Sequence, residues 1–157
     1  MIPATLELLK APAPRLREVS APVELEDGIP GNAVVNLAAD MLRVMHDNFT
    51  VGLAAIQLGV RQRLIVVAPP HLPEMIMINP VILWRDALQW SSEGCLSAPG
   101  KKVVIRRAKR IKVRYLDLDG TEHTQKLSNY SAAIVQHEID HLDGILFTDH
   151  IKPDMRS

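Results

Sequence analysis

Apolar positions in this chain change period several times, and the changes mark out its elements. After a proline-punctuated opening (Pro3, Pro12, Pro14, Pro22, Pro30), which predicts extended or turning backbone, the pattern becomes helical. Val34, Leu37, Ala38, Met41, Val44 and Met45 fall on one face, with Asn32 as the expected N-cap and an end near Asp47. Two β-branched runs follow, "RLIVVA" (63–68) and "MIMINPVILW" (75–84), and Pro80 interrupts the second. Ile111, Val113 and Tyr115 alternate with Arg110, Lys112 and Arg114, which predicts a half-buried strand entering an Asp119-Gly120 turn. "TEHTQKL" (121–127) is its expected hairpin partner. A second helix begins at Ser128 or Asn129, runs to Leu142 and stops at Gly144. Strands grouped before a late helix predict an α+β fold, and a length of 157 residues predicts one domain, 1–157.

Composition narrows the setting. Apolar residues make up 47%, enough for a sizeable core. Lysine plus arginine and aspartate plus glutamate both total 18, so global charge argues for no nucleic-acid partner. The single cysteine, Cys95, excludes an intrachain disulfide and fits a reducing compartment. The N-terminal twenty residues do not read as a signal peptide, and no apolar run approaches bilayer-spanning length. The expectation is a cytoplasmic protein without a membrane partner.

The chemistry concentrates in "IVQHEIDHLDG" (134–144). On a helix His137 and His141 share a face and can hold one ion together. Glu138 lies about 100° round from His137, where its carboxylate can reach a water at the same ion. The alternative, two hydrogen-bonded core histidines, explains neither the spacing nor the glutamate. Asp140 is a candidate partner for a ligating imidazole, and Asp143 reads as solvated. A third ligand is needed, and the residues alone leave it open among Cys95, His123, His150 and the carboxylates.

Three segments, "GLAAIQ" (52–57), "EGCLS" (93–97) and "QHEIDHLDG" (136–144), resemble in order and approximate spacing the signature motifs of peptide deformylases. The likeness extends through "APAPRLREVSAPVE", "MINP" and "VRYLDLDG". It implies antiparallel sheets packed around a central helix that carries HExxH. The implied reaction is hydrolysis of the formyl group from formyl-methionyl nascent peptides, releasing formate. The resemblance implies one divalent ion on Cys95, His137 and His141, ferrous iron in cells and nickel or zinc in preparations. Glu138 becomes the general base. Gln57 and the Leu96 N–H become donors to the formyl oxygen. Val51, Gly52 and Leu53 become an edge that pairs with the substrate backbone. Glu93, Gly94, Lys102, Tyr130, Ala133 and Ile134 complete the expected substrate site.

This chain departs from the family pattern at several points. Thr50 stands where the first motif has its first glycine, and would be strained there if φ were positive. Ile56 replaces a frequent proline, and Ser91 a usual aliphatic residue. Many relatives continue into a charged C-terminal helix associated with ribosome docking. Only sixteen residues follow His141 here. The basic stretch 101–114, with eight lysines or arginines and no acid, reads first as a solvated strand face and second as a transient ribosome contact, without sequence-specific nucleic-acid recognition. Two other readings compete with an active deformylase. One is a different HExxH hydrolase with His150 or Asp149 as third ligand. The other is a catalytically weakened descendant kept as a binding protein.

Overall fold

The computed structural model describes residues 6–151, so "IKPDMRS" is described only at Ile151. A short hairpin, β1 (Leu25–Glu26) and β2 (Ile29–Pro30), precedes helix α1 (Asn32–Asp47). Then come β3 (Gly52–Ala54), β4 (Leu64–Val67), β5 (Met75–Glu93), β6 (Val103–Leu116) and β7 (Glu122–Ser128). Helix α2 (Asn129–Leu142) follows, with a terminal 3-10 turn at Phe147–His150. Strands β3 to β7 form one antiparallel sheet in sequence order. The α+β expectation therefore holds, with helix α2 at the centre.

Helix α2 is central because nearly all of its surface is apolar or satisfied. Every residue from Ala132 to Ile139 is buried. Ile134, Val135, Ile139 and Leu142 pack with Ile111, Val113 and Tyr115 of β6 and with Ile65 and Met77. Each large side chain removed from water in this way stabilises by about 1.5–3 kcal/mol. One polar pair sets the register: Gln136 Oε1 accepts from Ala108 N–H at 3.0 Å, and its Nε2 donates to Ala108 O at 2.9 Å. A side chain thus pairs with strand backbone and docks the helix. The helix stops because Gly144 adopts φ +73°, where a Cβ would come within 2.3 Å of Arg17 O. Helix α1 buries Ala38, Met41, Val44 and Met45 in a second apolar cluster with Leu53, Leu58, Leu64 and Val66.

Several boundaries differ from the sequence reading. The N-cap of α1 is Gly31 rather than Asn32. Both long strands reach further toward their shared connection, β5 to Glu93 and β6 back to Val103. Pro80 is accommodated at a register shift between Ile78 and Val81, beside Asn79 at φ 51°. Positive φ falls on Phe49 (54°) and not on Thr50, so threonine carries no left-handed strain in the loop before β3.

Candidate metal centre and its surroundings

Two β-segments and helix α2 converge at one end of the sheet. The β5–β6 connection, residues 94–102, carries Cys95 to the buried face of α2, and β3 with the turn Ala55–Leu58 closes the other side. Residues 9–11 bind the two sides together. Leu9 N–H donates to Gln57 O and Ala11 N–H to Ser97 O, both at 2.7 Å.

One ligand atom each from Cys95, His137 and His141 lies within 4.8 Å of the others. Cys95 Sγ is 3.4 Å from His141 Nε2. His137 donates from Nδ1 to Glu93 Oε1 at 2.8 Å, so Nε2 is the ring nitrogen left for the cluster. Arg107 holds the same carboxylate with both arms, Nε to Oε2 and Nη2 to Oε1, each 2.8 Å. Its remaining nitrogen donates to Asp140 Oδ2 at 2.6 Å, and His150 Nε2 meets that oxygen at 2.8 Å. Arg107 is only 4% exposed, so this cation belongs to the interior and not to a solvated basic face.

The electrostatics favour a cation between these groups. Burial disfavours charge on His137, yet its contacts with Cys95, Glu138 and Glu93 outweigh that and raise it to about 10. His141 is depressed to about 3 by burial and by the neighbouring His137. Glu138 is pushed up to about 7, chiefly by burial. Its Oε1 and the Nδ1 of His141 are buried without a hydrogen-bond partner among the described residues. A soft and borderline donor set, one sulfur and two imidazole nitrogens, fits a divalent transition-metal ion.

Around the cluster the remaining expected residues fall into place unevenly. Gln57 accepts from Ala54 N–H at 2.9 Å, so its NH₂ end faces Ser97 Oγ (3.0 Å) and Cys95 Sγ (3.5 Å). Leu96 N–H has no backbone partner among the described residues. A cavity beside Glu138 and His137 is bordered by Val51, Gly52, Glu93, Gly94, Tyr130, Ala133 and Ile134, together with Thr50, Ser91 and Ser92. Leu53 does not border it, since its side chain lies in the second core and only its backbone faces the site through edge strand β3. Lys102 is exposed and packs near Gly94. Glu93, expected at the substrate, borders the cavity and also holds His137 and Arg107. Asp143 is exposed as expected and also pairs with Arg63 at 3.0 Å. Asp140 contacts Arg107 and His150 and not a ligating imidazole. His123 bonds Asp117 and Asp149 pairs with Arg17, so neither joins the cluster, and nor does His150. Arg107 and Ser97 were missed; Arg107 hid in a run of cations, although a buried carboxylate at Glu93 demands a partner.

A small α+β domain core with a thiolate and an HExxH helix aimed at one point defines a metallohydrolase. The comparisons specify which. The family model described as polypeptide deformylase matches residues 5–157. The chain is 45% identical over 154 residues to the peptide deformylase of Alkalilimnicola ehrlichii, covering 94% of this chain and 83% of that one. It is 44% identical over 149 residues to that of Bartonella quintana, covering 92% and 82%. Among solved structures, the class I type b peptide deformylase of Acinetobacter baumannii with Met-Ala-Ser bound superposes with TM-score 0.87 at 35% identity, covering 93% of this chain and 98% of that. The Thermotoga maritima peptide deformylase gives 0.86 at 35%, covering 94% and 98%. The chain belongs to the polypeptide deformylase family. Its activity is metal-dependent hydrolysis that removes the N-terminal formyl group from peptides. No helix among the described residues is long and apolar enough to cross a membrane.

Proposed function

We propose that residues 1–157 form one catalytic domain in which Cys95, His137 and His141 hold a single divalent ion, Glu138 moves the proton, and Gln57 with the Leu96 N–H binds the formyl oxygen. The observation that carries this reading is the convergence of the three donor atoms within 4.8 Å beside the unpartnered Glu138 oxygen. The ion supplies Lewis acidity toward water and the formyl oxygen. Glu138, whose buried Oε1 has no hydrogen-bond partner among the described residues, is placed to take a proton from the attacking water and deliver it to the leaving amine. The C–N bond of the formamide then breaks into formate and a free amine. Gln57 presents its NH₂ in a fixed orientation, because the Ala54 N–H occupies its carbonyl end. A preorganised donor of this type is worth about 3–4 kcal/mol in the transition state.

The unpaired edge of β3 lets residues 51–53 bind the substrate as an added strand. The cavity under Tyr130, Ala133 and Ile134 takes the methionine side chain, with Gly94 and Lys102 at its mouth and Glu93 behind His137. The substrate is the formylated nascent peptide, and the reaction belongs to the cytoplasm, where such chains are made. Fe2+ as the working ion rests on the family resemblance and on which metal the cell supplies, since one sulfur and two imidazoles bind Ni2+ or Zn2+ at least as tightly. Exposed Arg106 and Lys109 on β6 support a transient ribosome contact through phosphates. The engagement of His150 and Asp149 elsewhere favours this reading over a protease that uses either as third ligand. Anaerobic loading with ferrous iron, followed by formate release from formyl-Met-Ala-Ser, is the test. Turnover with one ion per chain supports the reading. A loaded protein that releases no formate would instead favour a binding role.

A further inference from the structure

The side-chain cavity contains a hydroxyl that a methionine pocket does not need. Ser91 and Glu93 are both buried and lie on the same inner face of β5, with Ser92 exposed between them. Ser91 is therefore set back from the His137 contact by two residues, about 7 Å along the strand. Ser91 is 6% exposed and borders the cavity together with Ala133 and Ile134. Thr50, Ser92 and Tyr130 border the same space. A hydroxyl in such a place is solvated only while water stays in the cavity. An apolar side chain expels that water and leaves the hydroxyl unpaired, at a cost. A thioether sulfur is a weak acceptor and compensates poorly. A sulfoxide oxygen on the same side chain accepts a full hydrogen bond.

On the reading that this cavity receives the first side chain, we propose that Ser91 is a specificity residue that admits formyl peptides whose first residue carries a hydrogen-bond acceptor at the thioether position, above all methionine sulfoxide. The substrate class is then broader than formyl-methionine and includes its oxidised form. Ser91 donates to the sulfoxide oxygen. Ala133, a small residue, leaves room for the added atom.

The test compares kcat/KM for three peptides, formyl-Met-Ala-Ser, its sulfoxide, and the formyl-norleucine analogue, which has the same length and no acceptor. The proposal expects Ser91→Ala to lower the sulfoxide-to-norleucine ratio roughly five- to tenfold, and Ser91→Thr, which keeps the hydroxyl, to preserve the ratio. The reaction products Met-Ala-Ser and its sulfoxide, used as competitive inhibitors, should show the same change in relative affinity. A ratio that Ser91→Ala leaves unchanged in both measurements overturns the proposal. The placement of the side chain is tested separately with Ala133→Phe and the smaller Ala133→Val. If both leave formyl-Met-Ala-Ser turnover intact, the cavity does not receive the side chain and the proposal falls with that reading. If they slow it while the Ser91 ratio is constant, only the role of Ser91 falls.

Discussion

Glu93 accepts a 2.8 Å hydrogen bond from the Nδ1 of His137, and Arg107 grips the same carboxylate in a bidentate pair. The ring is thereby fixed in orientation, with Nε2 left for Cys95 and His141. A charged group buried to this depth is tolerated only with its partner. Arg107→Met should destabilise the fold by about 3–5 kcal/mol, because buried Glu93 loses its bidentate cation and keeps only the His137 N–H. It should also weaken metal binding roughly 10–100-fold through the loosened His137. Arg107→Lys should restore little, since one ammonium cannot span both oxygens. Urea unfolding and metal titration check the two effects.

The same carboxylate predicts an acid limit. Burial alone would raise the Glu93 pKa, but hydrogen bonds from Arg107 and His137 outweigh it and hold it at about 2, below its usual 4.5. A carboxylate depressed in the folded state contributes stability that is fully present above the unfolded value. That contribution is lost as pH falls from 4.5 through about 2. Unfolding free energy of the metal-free protein should fall steeply across this window. In Glu93→Gln the slope should be shallower, and an unchanged slope would show that Glu93 is not the group responsible.

Gly52 faces the Glu138 carboxylate. A Cβ at Gly52 would lie 2.5 Å from Glu138 Oε2 and 3.0 Å from its Cδ. Gly52→Ala therefore displaces Glu138, the proposed proton carrier, without touching a proposed metal ligand. Formate release should drop roughly 10²-fold or more, while metal content stays at one ion per chain. Full activity in this variant would show that Glu138 acts from another position.

The HExxH helix was legible because Ile134, His137 and His141 recur at three and then four residues, an odd-even spacing that a two-residue strand alternation does not keep on one face. Spacing alone left the third donor open, since Cys95 reaches the helix only through the turn between β5 and β6, and it was the resemblance of "EGCLS" that singled it out. The far halves of β5 and β6 were missed for a physical reason. Ala87 at φ 60° and the register shift between Ile82 and Trp84 break the two-residue alternation, and Leu88, Trp90 and Val104 are exposed although apolar. Arg107 is the converse case: a buried cation inside a basic run, distinguishable only by the carboxylate it meets. Thr50 was expected to strain the loop if it took positive φ, and the structure moves that conformation to Phe49.

The central claim is that one sulfur and two imidazoles share a single ion. X-ray absorption of the zinc-loaded protein reads the ligand atoms directly. Wild type should show one sulfur neighbour at roughly 2.3 Å together with two imidazole nitrogens at roughly 2.0–2.1 Å. Cys95→Ser should lose the sulfur shell, whereas His150→Ala should leave the spectrum unchanged. A wild-type spectrum without sulfur, or a spectrum altered by His150→Ala and not by Cys95→Ser, would contradict the account.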